Sequence, residues 1–347
     1  MNIQDLIRPT IKALKPYSSA RDEFQGNSND MVFLDANENP FNNGVNRYPD
    51  PQQNALKSVL SNIKKVSKGH ILLGNGSDEV LDLIFRVFCE PHSDNVIILP
   101  PTYGMYKVLA DLNAVAIRSV NLSQDFQPKV EAILNAADAN SKLLFLCSPN
   151  NPTGNSFSAE AIEILLKKFN GLVVIDEAYI DFSETDSWLK RLGEFPNLII
   201  TQTLSKAYGL AGIRLGICYA SADIITVLNA IKPPYNINEL TQQKAINVLE
   251  NSDLKKNQVK VILEEREKLI SELKKIPFII KIYPTDANFV LVKVDDATKR
   301  YHQLIKQGIV VRNRTTQPGC ENSLRFTIGT FEENKKLVQM LLFIEKL

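Results

Sequence analysis

The sequence predicts an α/β protein: a large domain on a mainly parallel, mixed sheet flanked by helices, followed by a smaller α+β domain. Three observations predict it. Short apolar runs of strand length alternate with amphipathic segments of helix length over the first two thirds of the 347 residues. Near Asn236 this gives way to a long charged stretch of helical period and then to a second, compact strand-and-helix pattern. Hydrophobic residues make up 44% of the chain against 23% charged, enough apolar material for a sizeable core.

In chain order, residues 1–27 read as an N-terminal arm, because charges and prolines interrupt "MNIQDLIRPTIKALKPY". Residues 28–235 read as the large domain, with strands at "MVFLDA", "HILLGN", "NVIILPP", "AVAIRSV", "KLLFLCS", "GLVVIDEA", "NLIITQT" and "RLGICYA". The segment "SAEAIEILLKKFN" from Ser158 is typical of the helices between them. Residues 236–347 read as the small domain, opened by one long linking helix over 236–275. It continues with strands at "FIIKIYPT", "ANFVLVKV", "IVVRNR" and "SLRFTIGT", a helix near "DATKRYHQLIKQG" and a final helix.

Composition excludes several classes. A formal net charge of +1 gives no global field for nucleic acid or anionic membrane. No apolar run approaches the roughly 20 residues of a membrane span, and the arm lacks the apolar core of a signal peptide. The cytoplasm is therefore the expected compartment. Cys89, Cys147, Cys218 and Cys320 are far apart and form no C-x-x-C pair, which argues against both zinc and a disulfide framework. His70, His92 and His302 form no metal-spaced cluster, so no metal is expected.

Four polar motifs follow four predicted strands. After "HILL" comes "GNGSDEVLD", a glycine turn opening a helix. Such a start offers free N–H groups and a positive dipole end to an anion, although Ser77 or Asp78 could equally be a plain N-cap. Glu79 stands where the third glycine of a dinucleotide fingerprint belongs. After "KLLFLC" comes "SPNNPTG", in which Asn151 is held rigid by its prolines, as an ordinary turn or as an amide presented to a ligand. After "GLVVI" comes "DEAYIDF". Asp176 ends a buried strand and must be paired, cap a helix or face a crevice. A Walker B reading needs G-x-x-x-x-G-K-[ST], and the chain has none. After "NLIITQ" comes "TLSKAYGLAGIRLG", in which Lys206 stands among small and apolar residues with Arg214 beyond it. A lysine there is either a solvated charge or an amine whose pKa is lowered by burial and a nearby cation.

Ligands of open α/β sheets bind past the carboxyl ends of strands. The four motifs together call for a ligand with a phosphate, a basic nitrogen facing Asp176 and a carbonyl that Lys206 can condense with. Pyridoxal 5'-phosphate has all three.

With these motifs, and with "LDANENP", "NRYPDPQ", "PTYGMY", "ANFVLV", "VRNR" and "LRFTIGT", nearly the whole chain resembles the fold-type I pyridoxal-phosphate-dependent aminotransferases. The resemblance implies that fold. It implies that Lys206 forms the internal aldimine and shuttles the substrate proton, that Asp176 pairs with the pyridinium nitrogen, and that Asn151 and Tyr179 bond the ring hydroxyl oxygen. Tyr103 would stack on the ring, with Ser77, Asp78, Ser205 and Arg214 around the phosphate. Tyr48 would reach that phosphate from a second copy, making a homodimer. Arg325 would grip the glutamate carboxylate and, with Arg312 and Tyr17, the substrate phosphate; the resemblance assigns Arg314 no role.

Within the family the strings "NENP", "RYPD" and "PTYGMY" imply a ping-pong transfer from glutamate to imidazole-acetol phosphate, giving L-histidinol phosphate and 2-oxoglutarate in histidine biosynthesis. The same frame serves aromatic or broad-range aminotransferases and a threonine-phosphate decarboxylase. A cofactor-binding sensor fused to a DNA-binding module is the reading from another class, and the short arm leaves no room for such a module.

Overall fold

The computed structural model describes residues 2–17 and 32–346. The expected end of the arm at residue 27 lies outside them. Seven of the eight apolar runs expected in the large domain form one sheet. They are β1 (Ile71–Asn75), β2 (Asn95–Ile98), β3 (Ala116–Ser119), β4 (Ser141–Cys147), β5 (Leu172–Asp176), β6 (Leu198–Thr203) and β7 (Leu215–Ala220), in the order β1-β7-β6-β5-β4-β2-β3. The run "MVFLDA" is not a strand: its described part has no ladder, and Val32 and Leu34 are 81% and 87% exposed. Val32 and Leu34 bury no apolar face, so alternation alone did not make a strand.

Strands β3, β2, β4, β5 and β6 are parallel; β7 runs antiparallel to both β6 and β1. The cause is connection length. A parallel crossover needs roughly a dozen or more residues, usually a helix. Between Thr203 and Leu215 the chain has only a tight loop ending in a short 3-10 turn, Ala211–Ile213. It therefore folds straight back, and the loop carrying Lys206 and Arg214 stays at the rim formed by the carboxyl ends of the parallel strands.

Helices cover both faces: α1 (Asn54–Lys64), α2 (Ser77–Phe88), α3 (Met105–Leu112), α4 (Val130–Ala136), α5 (Ala159–Lys168) and α6 (Ala222–Ile231). Two cores result, and adjacent strand residues divide between them. Leu73, Leu144, Ile175 and Ile217 belong to one, while Leu72, Phe145, Val174 and Cys218 belong to the other. Burial on both faces explains why these strands read as continuous apolar runs. All four cysteines are buried.

The stretch 236–275 is two helices rather than one: α7 (Glu239–Leu249) and α8 (Ser252–Leu273). The break falls at Asn251, a weak helix former, which leaves helical geometry with φ −100° and ψ 67°. The small sheet is antiparallel, in the order β10 (Arg312–Asn313), β11 (Ser323–Thr327), β9 (Phe289–Val294), β8 (Ile279–Ile282). It packs with α8, α9 (Ala297–Lys306) and α10 (Phe331–Glu345) around a core of its own. Thr330 and Glu333 close the start of α10 as a reciprocal capping box.

One close approach sets the rim. Where β1 meets β7, a side chain on Gly216 would put its Cβ 2.3 Å from both the Gly76 carbonyl carbon and the Ser77 nitrogen. Gly76 itself has φ +81°, and a Cβ there would lie 2.6 Å from Arg214 Nη2. Gly216→Ala is therefore expected to push backbone against backbone and cost about 1–3 kcal/mol, measured as a lower denaturation midpoint in urea. An unchanged midpoint would mean the two strands can part freely.

Candidate active site at the carboxyl ends of the central strands

Helix α2 begins at this rim. Its N-cap is Gly76, and no side chain caps it. Neither Ser77 nor Asp78 takes the capping role, so the first N–H groups of the helix stay available to an anion. Asp78 instead accepts from the Tyr103 hydroxyl at 3.0 Å and lies 3.6 Å from Arg214. Glu79 accepts from the Asn75 backbone N–H at 2.5 Å and from the Asn236 side chain at 2.9 Å, fastening the glycine turn from below. Arg214 has left-handed backbone, φ 51°, at the end of the 3-10 turn.

The two acids of "DEAY" face opposite ways: Asp176 ends β5, and Glu177, the next residue, carries on its alternation. Glu177 is sealed away, accepting from Ser187 Oγ at 2.6 Å, the Trp188 N–H at 2.7 Å and Gln202 Nε2 at 2.8 Å. Asp176, 3% exposed, lines the cleft. Burial drives its carboxyl above the ordinary aspartate range. The Tyr106 hydroxyl at 2.9 Å and the Ala178 N–H at 3.2 Å oppose that by donating to the charged form. Tyr106 was absent from the expected site. Its signal was present in "PTYGMY": a fully buried tyrosine needs an acceptor for its hydroxyl.

The asparagines of "SPNNP" also divide their work. Asn150 pins the loop, donating to the Pro101 carbonyl at 2.9 Å and to Thr153 Oγ1 at 2.7 Å. Asn151 turns to the cleft. It donates to the Tyr179 hydroxyl at 3.3 Å and accepts from Arg325 Nη1 at 2.6 Å. Arg325 lies over the Phe289 ring at 4.9 Å and directly opposite Arg312 in the β10–β11 ladder. Burial first, then Arg314 and Arg312, lower the Arg325 pKa to about 10.

Lys206 lines the same cleft as Ser77, Asp78, Tyr103, Asn151, Asp176, Tyr179, Ser205 and Arg214. Its Nζ lies 5.8 Å from the centre of the Tyr179 ring. Burial by the cleft walls lowers the Lys206 pKa, and Arg325 and Arg214 lower it further, against the pull of Asp176. More of this amine is therefore neutral at pH 8–9 than of an ordinary lysine. Removing a neighbouring cation must raise the pKa. Arg325→Leu is thus expected to move the pH midpoint for trapping Lys206 with a small aldehyde and borohydride upward, read by peptide mass spectrometry. A midpoint that stays put would mean Arg325 does not act on the amine.

Tyr17 and Tyr48 are not among the cleft residues. Tyr17 is 71% exposed. Tyr48, 51% exposed, stacks on Tyr235 at 4.5 Å beside a separate surface pocket lined by Glu38, Arg47 and Leu240.

The sequence profile described as "Aminotransferase class I and II" matches residues 27–341. A histidinol-phosphate aminotransferase of Flavobacterium johnsoniae is 64% identical over 341 residues, covering 98% of each chain. Among solved structures, the histidinol-phosphate aminotransferase of Clostridium acetobutylicum superposes with a TM-score of 0.80 at 27% identity, covering 87% of this chain and 91% of its own. That of Sinorhizobium meliloti, in complex with pyridoxal-5'-phosphate, has a TM-score of 0.80 at 24% identity, covering 86% and 83%.

Proposed function

Because the chain belongs to the class I and II aminotransferases, we propose that it moves the amino group of glutamate to imidazole-acetol phosphate, giving L-histidinol phosphate and 2-oxoglutarate. The observation that carries this reading is one cleft in which an amine, Lys206, and a buried carboxylate, Asp176, stand beside an anion clamp anchored through Asn151.

The cofactor is pyridoxal 5'-phosphate, and the residues present fit it. The α2 start without a side-chain cap, Ser205 and Arg214 suit a phosphate. The Asp176 carboxylate suits a protonated ring nitrogen. Asn151 and Tyr179 suit a phenolic oxygen. When bound, the cofactor supplies an aldehyde that takes up the amino group and a ring that accepts electrons.

The chain's own residues do the rest. Lys206 Nζ would take the proton from the substrate α-carbon and hand it back at the carbon of the cofactor aldehyde, which its lowered pKa suits. Asp176 keeps its charge towards the ring nitrogen, held in orientation by Tyr106. Tyr103 covers one ring face, its hydroxyl fixed by Asp78. Arg325 takes a carboxylate of glutamate in one half-reaction and, with Arg312 and Tyr17, the substrate phosphate in the other. Planar guanidinium suits both anions. Two substrates alternating in one site give ping-pong kinetics.

A second copy completes the site by contributing Tyr48 to the phosphate end. The exposed apolar residues Val45 and Leu240, which line the same surface pocket as Tyr48, support such a pairing. No helix among the described residues is long and apolar enough to cross a membrane, which fits a cytoplasmic enzyme.

The test is a coupled assay of purified protein with histidinol phosphate and 2-oxoglutarate, with phenylalanine and threonine phosphate in parallel. Glutamate should form rapidly with histidinol phosphate and slowly with phenylalanine. Carbon dioxide released from threonine phosphate without glutamate formation would make the chain a lyase and overturn the reading.

A further inference from the structure

Beyond the expected pair Arg312 and Arg325, the small sheet presents a third guanidinium to the same place. Arg312 sits directly opposite Arg325 across β10 and β11. The ladder continues one step further, with the Arg314 N–H donating to the Ser323 carbonyl at 2.8 Å. Period-two alternation puts Arg312 and Arg314 on one face and Asn313 on the other. Asn313 indeed turns towards α9, donating to Thr298 Oγ1 at 3.3 Å. Arg314 is then the diagonal neighbour of Arg325, a separation of roughly 7–8 Å or less, close enough for two arginines to converge on one small anion.

The cluster lacks its anion. Among the described residues, none of the three arginines pairs with a carboxylate. Nε of Arg314 and Nε of Arg325 are shut from solvent with no acceptor. Each guanidinium depresses the other: burial and then Arg312 lower the pKa of Arg314, as burial and then Arg314 lower that of Arg325. Two buried guanidinium donors without acceptors, with the exposed Arg312 opposite one of them, are costly unless an anion joins them. The main chain around Arg314 is already satisfied at Ser323 and Gln317, so its side chain is not needed to hold the loop.

The charge of the anion follows from the count of forks. A carboxylate has two oxygens and one charge, which a single guanidinium matches. A phosphate monoester has three free oxygens and a charge near −2, so it can take donors from Arg325, Arg312 and Arg314 together where a carboxylate cannot. We infer that Arg314 is a specificity-determining residue that binds the phosphoryl group of the substrate and contributes little to holding glutamate. This rests on the aminotransferase reading above and names the residue that separates its two substrates.

The experiment compares the wild-type holoenzyme with Arg314→Gln and Arg314→Lys. Glutamate and histidinol phosphate are titrated separately against the visible spectrum of the bound cofactor, and inorganic phosphate is titrated by calorimetry. In Arg314→Gln the dissociation constants for histidinol phosphate and inorganic phosphate should rise about ten- to a hundredfold. That for glutamate should stay within about threefold. Arg314→Lys, which keeps the charge but not the fork, should recover part of the loss. Parallel weakening of both substrates, or no weakening of either, would overturn the inference. A wild-type spectrum that does not respond to glutamate would instead overturn the aminotransferase reading, while the phosphate titration would still decide the role of Arg314.

Discussion

Lys206→Ala is expected to lower transamination by more than about a thousandfold while leaving the fold intact. Among the described residues, Lys206 is the one lysine lining the cleft, so nothing nearby can replace its amine. It forms no ion pair among the described residues, and burial and the charges of Arg325 and Arg214 outweigh the pull of Asp176 on its ammonium form. Its removal therefore breaks no ion pair or hydrogen bond on which the described fold rests. Steady-state assays with histidinol phosphate and 2-oxoglutarate measure the rate. Circular dichroism checks the fold, and protein mass after borohydride reduction checks that covalent attachment of the cofactor is gone. A variant that transaminates normally would remove Lys206 from the mechanism.

Asp176→Asn should produce the second-largest loss. The substitution keeps the shape and leaves Tyr106 an oxygen to donate to, but it removes the charge. Breaking a buried charge pairing from one side costs about 3–5 kcal/mol, roughly two to three and a half orders of magnitude in a binding or rate constant. Both kcat/KM and cofactor affinity should fall on that scale. Stability should move the other way in cofactor-free protein. The carboxyl of Asp176 is pushed above its ordinary value by burial, so the folded state holds its proton more tightly than the unfolded chain does. Stability is then lost as pH rises from the ordinary aspartate range through the raised folded value. The asparagine variant has no such group. Melting curves of cofactor-free protein at pH 5 and pH 8 should show the wild type losing more stability between them than the variant. Identical pH dependence would mean that ionising Asp176 costs nothing.

Most of the architecture was legible because burial on both sheet faces writes itself as uninterrupted apolar runs, as in "LLFLC" and "LVVID". The misreadings share a cause. "MVFLDA" has strand-like alternation, but a strand needs a neighbour, and no pattern within the run says whether one exists. The segment 236–275 has helical period throughout, and a single asparagine divides it. At the site, the polar residues at the strand ends stood out against apolar surroundings. Tyr106 did not, because its position in a buried helix looks like core until the acceptor of its hydroxyl is known. Arg314 was visible as a cation, but its orientation depended on a ladder register that sequence spacing alone does not fix.

Asn151 has a consequence for how such an enzyme can diversify. Its amide nitrogen serves Tyr179 on the cofactor side and its oxygen serves Arg325 on the substrate side. The arginines belong to the small sheet, whereas Asp176 and Lys206 belong to the large one, so most of the recognition surface can be redrawn without touching the reaction centre. One direct hydrogen-bonded link between the halves is this side chain, shared by both. A lineage exchanging one acid for another is free to replace Arg312 or Arg314, but any new arrangement of Arg325 must still leave the amide in register with Tyr179. Asn151 is therefore the position where a change of diet would be paid in catalytic rate.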